Sequence, residues 1–126
     1  MDKNNNRPRY LNLLKIKMPV TAVLSIAHRA SGLLLVLIIP FAIYVFQLSL
    51  SSEQGFNSFI QSFQQTWVSI ILIILAWSFT HHFLSGLRFL LIDIDLGVER
   101  QTARLTAWII NIVSITTAIV VAGTLL

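Results

Sequence analysis

The segment His81-His82-Phe83-Leu84-Ser85-Gly86-Leu87-Arg88-Phe89, followed by Asp93, carries two of the chain's three histidines. Imidazole is a standard axial ligand for heme iron. A flat macrocycle on His82 needs bare space beside it, and Gly86 lies one helical turn along on the same face. The competing role for His82 is a hydrogen bond to a neighbouring helix. His81 points about 100° away on a helix and reads as a lipid-interface or packing residue. A second polar group comes earlier. Ser25, His28, Arg29 and Gly32 fall at i, i+3, i+4 and i+7, a single stripe with a gap at the glycine. Snorkelling to the headgroups accounts for an isolated Arg29; four polar or small residues on one face point beyond it. A second ligand to a heme on His82 would come from His28 or from another chain. His82 precedes Arg88 by six residues, so it lies roughly 9 Å deeper along the helix, and this depth disfavours His28.

The elements that hold these residues are set by lipid. Hydrophobic residues make up 56% of the 126-residue chain and charged residues 11%, against about 25% charged in soluble domains. That is too little charge to coat a water-soluble globule. A bilayer core needs roughly 20 helical residues, and Gly32 to Leu50, Trp67 to Leu87 and Leu105 to Leu126 each run without a charge. These runs are continuous rather than alternating, so helices and not barrel strands satisfy the backbone in lipid. The expected fold is an all-α membrane protein. It has a basic arm at 1–20 and a three-helix transmembrane domain at 21–126, with spans near 21–50, 66–92 and 105–126. The first helix starts near Pro19 or Thr21, since proline is tolerated in a first turn, and Pro40 should kink it. Phe56, Phe59, Ile60, Phe63 and Trp67 recur at helical spacing opposite Asn57, Gln61, Gln64 and Gln65, which predicts a short interfacial helix before the second span. Gly97 is the expected stop after it. In the third span Ser114, Ala118 and Ala122 offer a small-residue face.

Charge gives the orientation. Lys3, Arg7, Arg9, Lys15 and Lys17 precede the first span, and Arg88, Arg100 and Arg104 flank the second loop, whereas the first loop has no Lys or Arg. The positive-inside rule puts the N-terminus and the second loop in the cytoplasm. A basic arm can serve nucleic acid, but before lipid-length helices it reads as a topology signal, with lipid and not nucleic acid as its surroundings. The chain has no cysteine, so thiolate metal sites and cysteine nucleophiles are excluded. It shows no phosphate loop, zinc motif or intramembrane carboxylate pair. No cleavable signal or Arg/Ser-rich transit peptide is evident. A bacterial inner membrane is expected, with the mitochondrial inner membrane second.

Two motifs carry a family resemblance. The first runs from Arg7-Pro8 through Leu13 and Val20 to Ser25, His28-Arg29 and Ser31-Gly32; the second is His82, Gly86-Leu87-Arg88-Phe89-Leu90 and Asp93. In order and at this spacing, across nearly the whole chain, they resemble the cytochrome b556 subunits of succinate dehydrogenase, which belong to the membrane anchor of respiratory complex II. The resemblance implies that His82 is an axial ligand of heme b and that a second membrane-anchor subunit supplies the other axial histidine. It implies His28 and Arg29 beside the heme propionates, Arg29 and Ser25 at the ubiquinone site, and a structural or propionate-side role for Arg88. Electrons would come from an iron–sulfur subunit on the cytoplasmic side. Succinate oxidation would belong to a flavoprotein subunit, because this chain has no soluble domain. Arg9, Phe89 and Ile92 depart from the usual pattern, and neither Phe89 nor Ile92 can carry a hydrogen bond or a proton path. Two rivals remain beside this expectation: a heme-free quinone-binding anchor of a fumarate reductase, and a membrane transporter or assembly subunit without a redox role.

Overall fold

A computed structural model of the chain describes residues 17–126. The cations Lys3, Arg7, Arg9 and Lys15, and the Arg7-Pro8 and Leu13 positions of the first motif, lie outside the described residues. Four helices follow: α1 (Val20–Ser51), α2 (Glu53–Ser62), α3 (Thr66–Asp93) and α4 (Arg100–Leu125). α1, α3 and α4 are long and apolar enough to cross a membrane, and no strand occurs among the described residues.

Each boundary has a local cause. Pro19 stands at the N-cap of α1 in extended conformation, where its missing N–H leaves nothing unsatisfied, and its carbonyl accepts from Ala22 and Val23. The helix continues through Pro40 to Ser51. Ser52 then turns the backbone to an extended conformation, and its hydroxyl caps α2 by accepting from the Gly55 N–H at 3.0 Å. A Cβ on Gly55 would run into the Leu48 carbonyl, so glycine is what lets α2 fold back onto the end of α1. At the end of α2, Phe59 meets the C-cap residue Phe63 edge to face. α3 ends at Asp93, ahead of the expected stop at Gly97. The reversal begins at Asp95, whose φ of 62° is left-handed, and finishes at Gly97 with φ 76°. Asp is one of the few non-glycine residues that tolerates that region, so the chain leaves the helix before the glycine is reached.

α3 is the central element. It packs on α1 and on α4, which also touch each other, and α2 lies on α1. The packing is inverted relative to a soluble domain. Among the described residues Leu24, Ala107 and Ile110 are the buried hydrophobic residues, while Ser31, Ser49, Ser69, Ser78, His81, Ser85, Arg88 and Ser114 are the buried polar ones. Most leucine, isoleucine and phenylalanine side chains are exposed instead. This follows from the solvent: lipid tails are as apolar as leucine, so helix contacts select small residues that bring backbones close. Two serine hydroxyls inside the bundle return to their own helix, Ser31 to the His28 carbonyl at 2.9 Å and Ser114 to that of Ile110 at 2.7 Å, while that of Ser69 reaches the Leu125 carbonyl of α4 at 3.5 Å. Ser114 is buried, and Ala118 and Ala122 below it are half-buried.

Candidate functional site

Where α1 and α3 cross, two imidazoles meet. The rings of His28 and His82 stack with centroids 4.3 Å apart and planes 4° from parallel. The His82 Nδ1 lies 3.0 Å from the backbone carbonyl oxygen of His28. A carbonyl only accepts, so Nδ1 carries the proton and Nε2 keeps its lone pair. Nε2 has no hydrogen-bond partner among the described residues. The same carbonyl also accepts from Ser31, so one backbone oxygen fixes both a hydroxyl and an imidazole.

Glycine makes this crossing possible, though not the glycine the sequence points to. A Cβ built on Gly32 would sit 2.7 Å from Cε1 and 3.1 Å from Nδ1 of His82. Any side chain at Gly32 would therefore displace the ring. A Cβ on Gly86 would meet only the Nε2 of His28, at 3.6 Å, an ordinary contact. The expected bare space at Gly86 is thus faced by His28. Beyond it Phe89 sets its edge against the His28 ring at 5.1 Å, and the Arg88 guanidinium lies 5.6 Å from the Phe89 ring centre.

His28 lies level with His82, contrary to the expectation from depth. Counting residues back from Arg88 measures position along α3 alone, whereas the offset between antiparallel helices is set by packing, and it brings His28 level with His82. Nearness still does not make His28 the opposing axial ligand in this arrangement. Imidazole lone pairs lie in the ring plane, and face-to-face stacking does not aim the two rings' lone pairs at one point between them.

The other sequence-selected residues separate from this pair. His28 and Gly32 turn toward α3, Ser25 is half-buried, and Arg29 is exposed on the outer side of α1. Neither Ser25 nor Arg29 has a hydrogen bond to another described residue. Arg88 turns to α4, away from the His28–His82 pair. Its Nε donates to the Thr106 hydroxyl and its Nη2 to the Ala103 carbonyl, both at 3.0 Å, which ties the end of α3 to the start of α4. His81 is fully buried between α3 and α4 rather than at a lipid interface; its Nε2 lies 3.2 Å from Asn111 Oδ1. Sequence reasoning misses Asn111 and gives Ser31 no contact of its own, because neither is charged. A lone carboxamide amid the uncharged third span is nevertheless costly in lipid unless it has a partner, and that is the readable signal for Asn111.

The arrangement offers one orientated imidazole with a free nitrogen, a second imidazole beside it, and a guanidinium with a hydroxyl one turn before it on an outward face. Comparison with known proteins agrees with the resemblance carried by the two motifs. A family model described as the succinate dehydrogenase/fumarate reductase transmembrane subunit matches residues 3–121. The chain is 31% identical over 121 residues to the succinate dehydrogenase cytochrome b556 subunit of Coxiella burnetii, covering 95% of this chain and 96% of that one. It is 30% identical to the subunit of that name from Rickettsia prowazekii and 29% to that from Rickettsia typhi, over 111 residues each, covering 88% of this chain and 86% of theirs. With a bundle of three membrane-length helices and a match over most of its length, the chain belongs to the family of succinate dehydrogenase/fumarate reductase transmembrane subunits.

Proposed function

We propose that this chain is the cytochrome b-type membrane anchor of a succinate:quinone oxidoreductase. On this reading it co-ligates heme b with a second anchor subunit, forms one side of the ubiquinone-reduction site, and takes electrons from an iron–sulfur subunit, with succinate oxidised on a flavoprotein subunit. The observation that carries the reading is the state of His82: one ring nitrogen tied to the His28 carbonyl, the other uncommitted. The names of the Coxiella and Rickettsia relatives support a b-type cytochrome.

The residues fit a heme. Ligating histidines characteristically donate their second nitrogen to a carbonyl or carboxylate, which fixes the tautomer and raises the basicity of the ligating one. His82 has that arrangement, and Gly32 leaves room for its ring. Heme b, when bound, supplies a one-electron redox centre beside the quinone site. His82 would hold it through Nε2, with a second histidine coming from the second anchor subunit. His28 and Arg29 would face its propionates. Arg88, whose hydrogen bonds both go to α4, is assigned the structural role.

For the quinone, Arg29 and Ser25 supply what reduction of a carbonyl requires. Arg29 brings a fixed positive charge that favours the negative charge growing on the quinone oxygen. Ser25, one turn earlier on α1, brings a hydroxyl that can position the ring and pass a proton. The exposure of Arg29 on the outer side of α1 suits a site completed by another chain. Orientation follows from charge: Lys17, Arg88, Arg100 and Arg104 gather at the end where α1 begins, α3 ends and α4 begins, while residues 52–65 have no Lys or Arg. That end faces the cytoplasm, in a bacterial inner membrane.

The test is to assay the assembled complex twice, with ubiquinone and with a soluble dye that takes electrons before the anchor. Arg29→Ala and Ser25→Ala should depress the quinone assay and spare the dye assay. Equal activity with both acceptors in both variants would remove this side of α1 from the quinone site.

A further inference from the structure

α3 carries two successive histidines, and the bundle sends them to different neighbours. His82 turns to α1, while His81 is fully buried against α4. The hydrogen bonds around His81 can be given a direction. The Asn111 amide nitrogen donates to the Ala107 carbonyl at 2.9 Å, and this fixes its Oδ1 as the atom facing His81. The His81 Nε2 therefore carries a proton and donates to that oxygen at 3.2 Å. Nδ1 then has the lone pair, and the Ser85 hydroxyl lies 3.4 Å from it as the donor. Both nitrogens of His81 are engaged, and the Trp77 ring covers its side at 5.4 Å.

We propose that Asn111, His81 and Ser85 form a clamp that positions His82. The proposal rests on His82 being the heme ligand. The clamp acts in two ways. It occupies both His81 nitrogens, so of the adjacent pair only His82 can offer one to iron. It also fixes the rotation of α3 about its own axis. Between helices in lipid, leucine and isoleucine faces give little resistance to rotation, because lipid tails are equally good neighbours. A hydrogen bond between buried side chains has direction, and leaving its partners unmade is costly. Rotation of α3 would carry His82 with it. On the α1 side Gly32 leaves no slack for that movement, since even a Cβ there would crowd the ring at 2.7 Å. The plane of the His82 ring is therefore set from behind by α4 and from in front by α1. His81 and Asn111 are positioning residues.

The test uses the complete complex with its partner subunits and reads the ferric heme by electron paramagnetic resonance, whose largest g value reports the relative planes of the axial imidazoles. Asn111→Leu should broaden or displace that signal with heme still bound. His81→Gln keeps an N–H able to donate to Asn111 and should stay near the native signal. Ser85→Ala removes only the bond to Nδ1 and should shift the signal in the same sense as Asn111→Leu, by less; it serves if Asn111→Leu does not assemble. A native heme signal that neither Asn111→Leu nor Ser85→Ala moves, even with a lowered melting temperature, would reduce the clamp to packing and overturn the positioning role alone. A native complex with no heme signal at all would overturn the ligand reading and this role together.

Discussion

The His82 Nδ1 donates to the backbone carbonyl of His28 at 3.0 Å, while the two imidazoles lie 4.3 Å apart and nearly parallel. A side chain on α3 is thus held by the main chain of α1, and no substitution at His28 alone removes that bond. His28, stacked on His82, and the exposed Arg29 then mark two different faces of α1, one turned into the bundle and one turned out. An anchor that shares a heme and a quinone site with a second chain needs both.

The two glycines of the crossing should respond oppositely. Gly32→Ala places a methyl 2.7 Å from His82 Cε1, and overpacking of this kind costs about 1–3 kcal/mol. We expect a lower melting temperature and reduced heme retention in the purified complex. Gly86→Ala meets only an ordinary contact at 3.6 Å and gains about 1 kcal/mol of helix propensity, so it should be neutral or mildly stabilising. Equal loss in both variants would mean that Gly86, and not Gly32 alone, also gates the site.

Arg88 should matter for assembly of the helices and not for the chemistry. Its two bonds to α4 are of the charged kind, about 1.5–3 kcal/mol each when a partner is lost. Arg88→Lys cannot reproduce the two-pronged guanidinium and should lower the melting temperature of the complex, with Thr106→Val lowering it by less. If Arg88→Lys instead left stability intact and shifted the heme spectrum, Arg88 would belong to the propionate side.

Much of this is legible in the amino-acid order, and the misses share a cause. Three long apolar helices, the start of α1 after Pro19 and a short helix at Phe56, Phe59 and Ile60 follow from local spacing, whereas α4 begins at Arg100, ahead of the expected start near 105. Gly97 is the expected stop of α3 because glycine is the usual left-handed residue; Asp95 takes that conformation first. The polar stripe of Ser25, His28, Arg29 and Gly32 reads as one face in the sequence. Adjacent residues on a helix diverge by about 100°, and the bundle splits the stripe between His28 and Arg29. The level of His28 against His82 depends on the offset of α1 and α3, which no count along one helix contains. Spacing correctly turns His81 away from His82, but its burial requires knowing that Asn111 of α4 lies opposite.

Arg29 should be the most specific probe of the quinone face. It is exposed and unbonded to other described residues, so Arg29→Ala should leave the melting temperature of the complex unchanged. Loss of a single charge-stabilising donor commonly lowers kcat about 10²–10³-fold, and the quinone-dependent rate should fall within that range. Arg29→Lys keeps the charge and should recover part of it. A drop in stability matching the drop in rate would instead assign Arg29 to packing against the partner chain.

If His82 is this chain's ligand to heme b, its replacement must show in the heme's own absorption. The direct measurement is the reduced-minus-oxidised absorption spectrum of the complex purified with its partner subunits, for the native chain, His82→Ala and His81→Gln. His82 as the ligand predicts a b-type signal in the native complex, lost or strongly perturbed in His82→Ala and retained in His81→Gln. A native complex without the signal, or a signal that survives His82→Ala and disappears with His81→Gln, would contradict it.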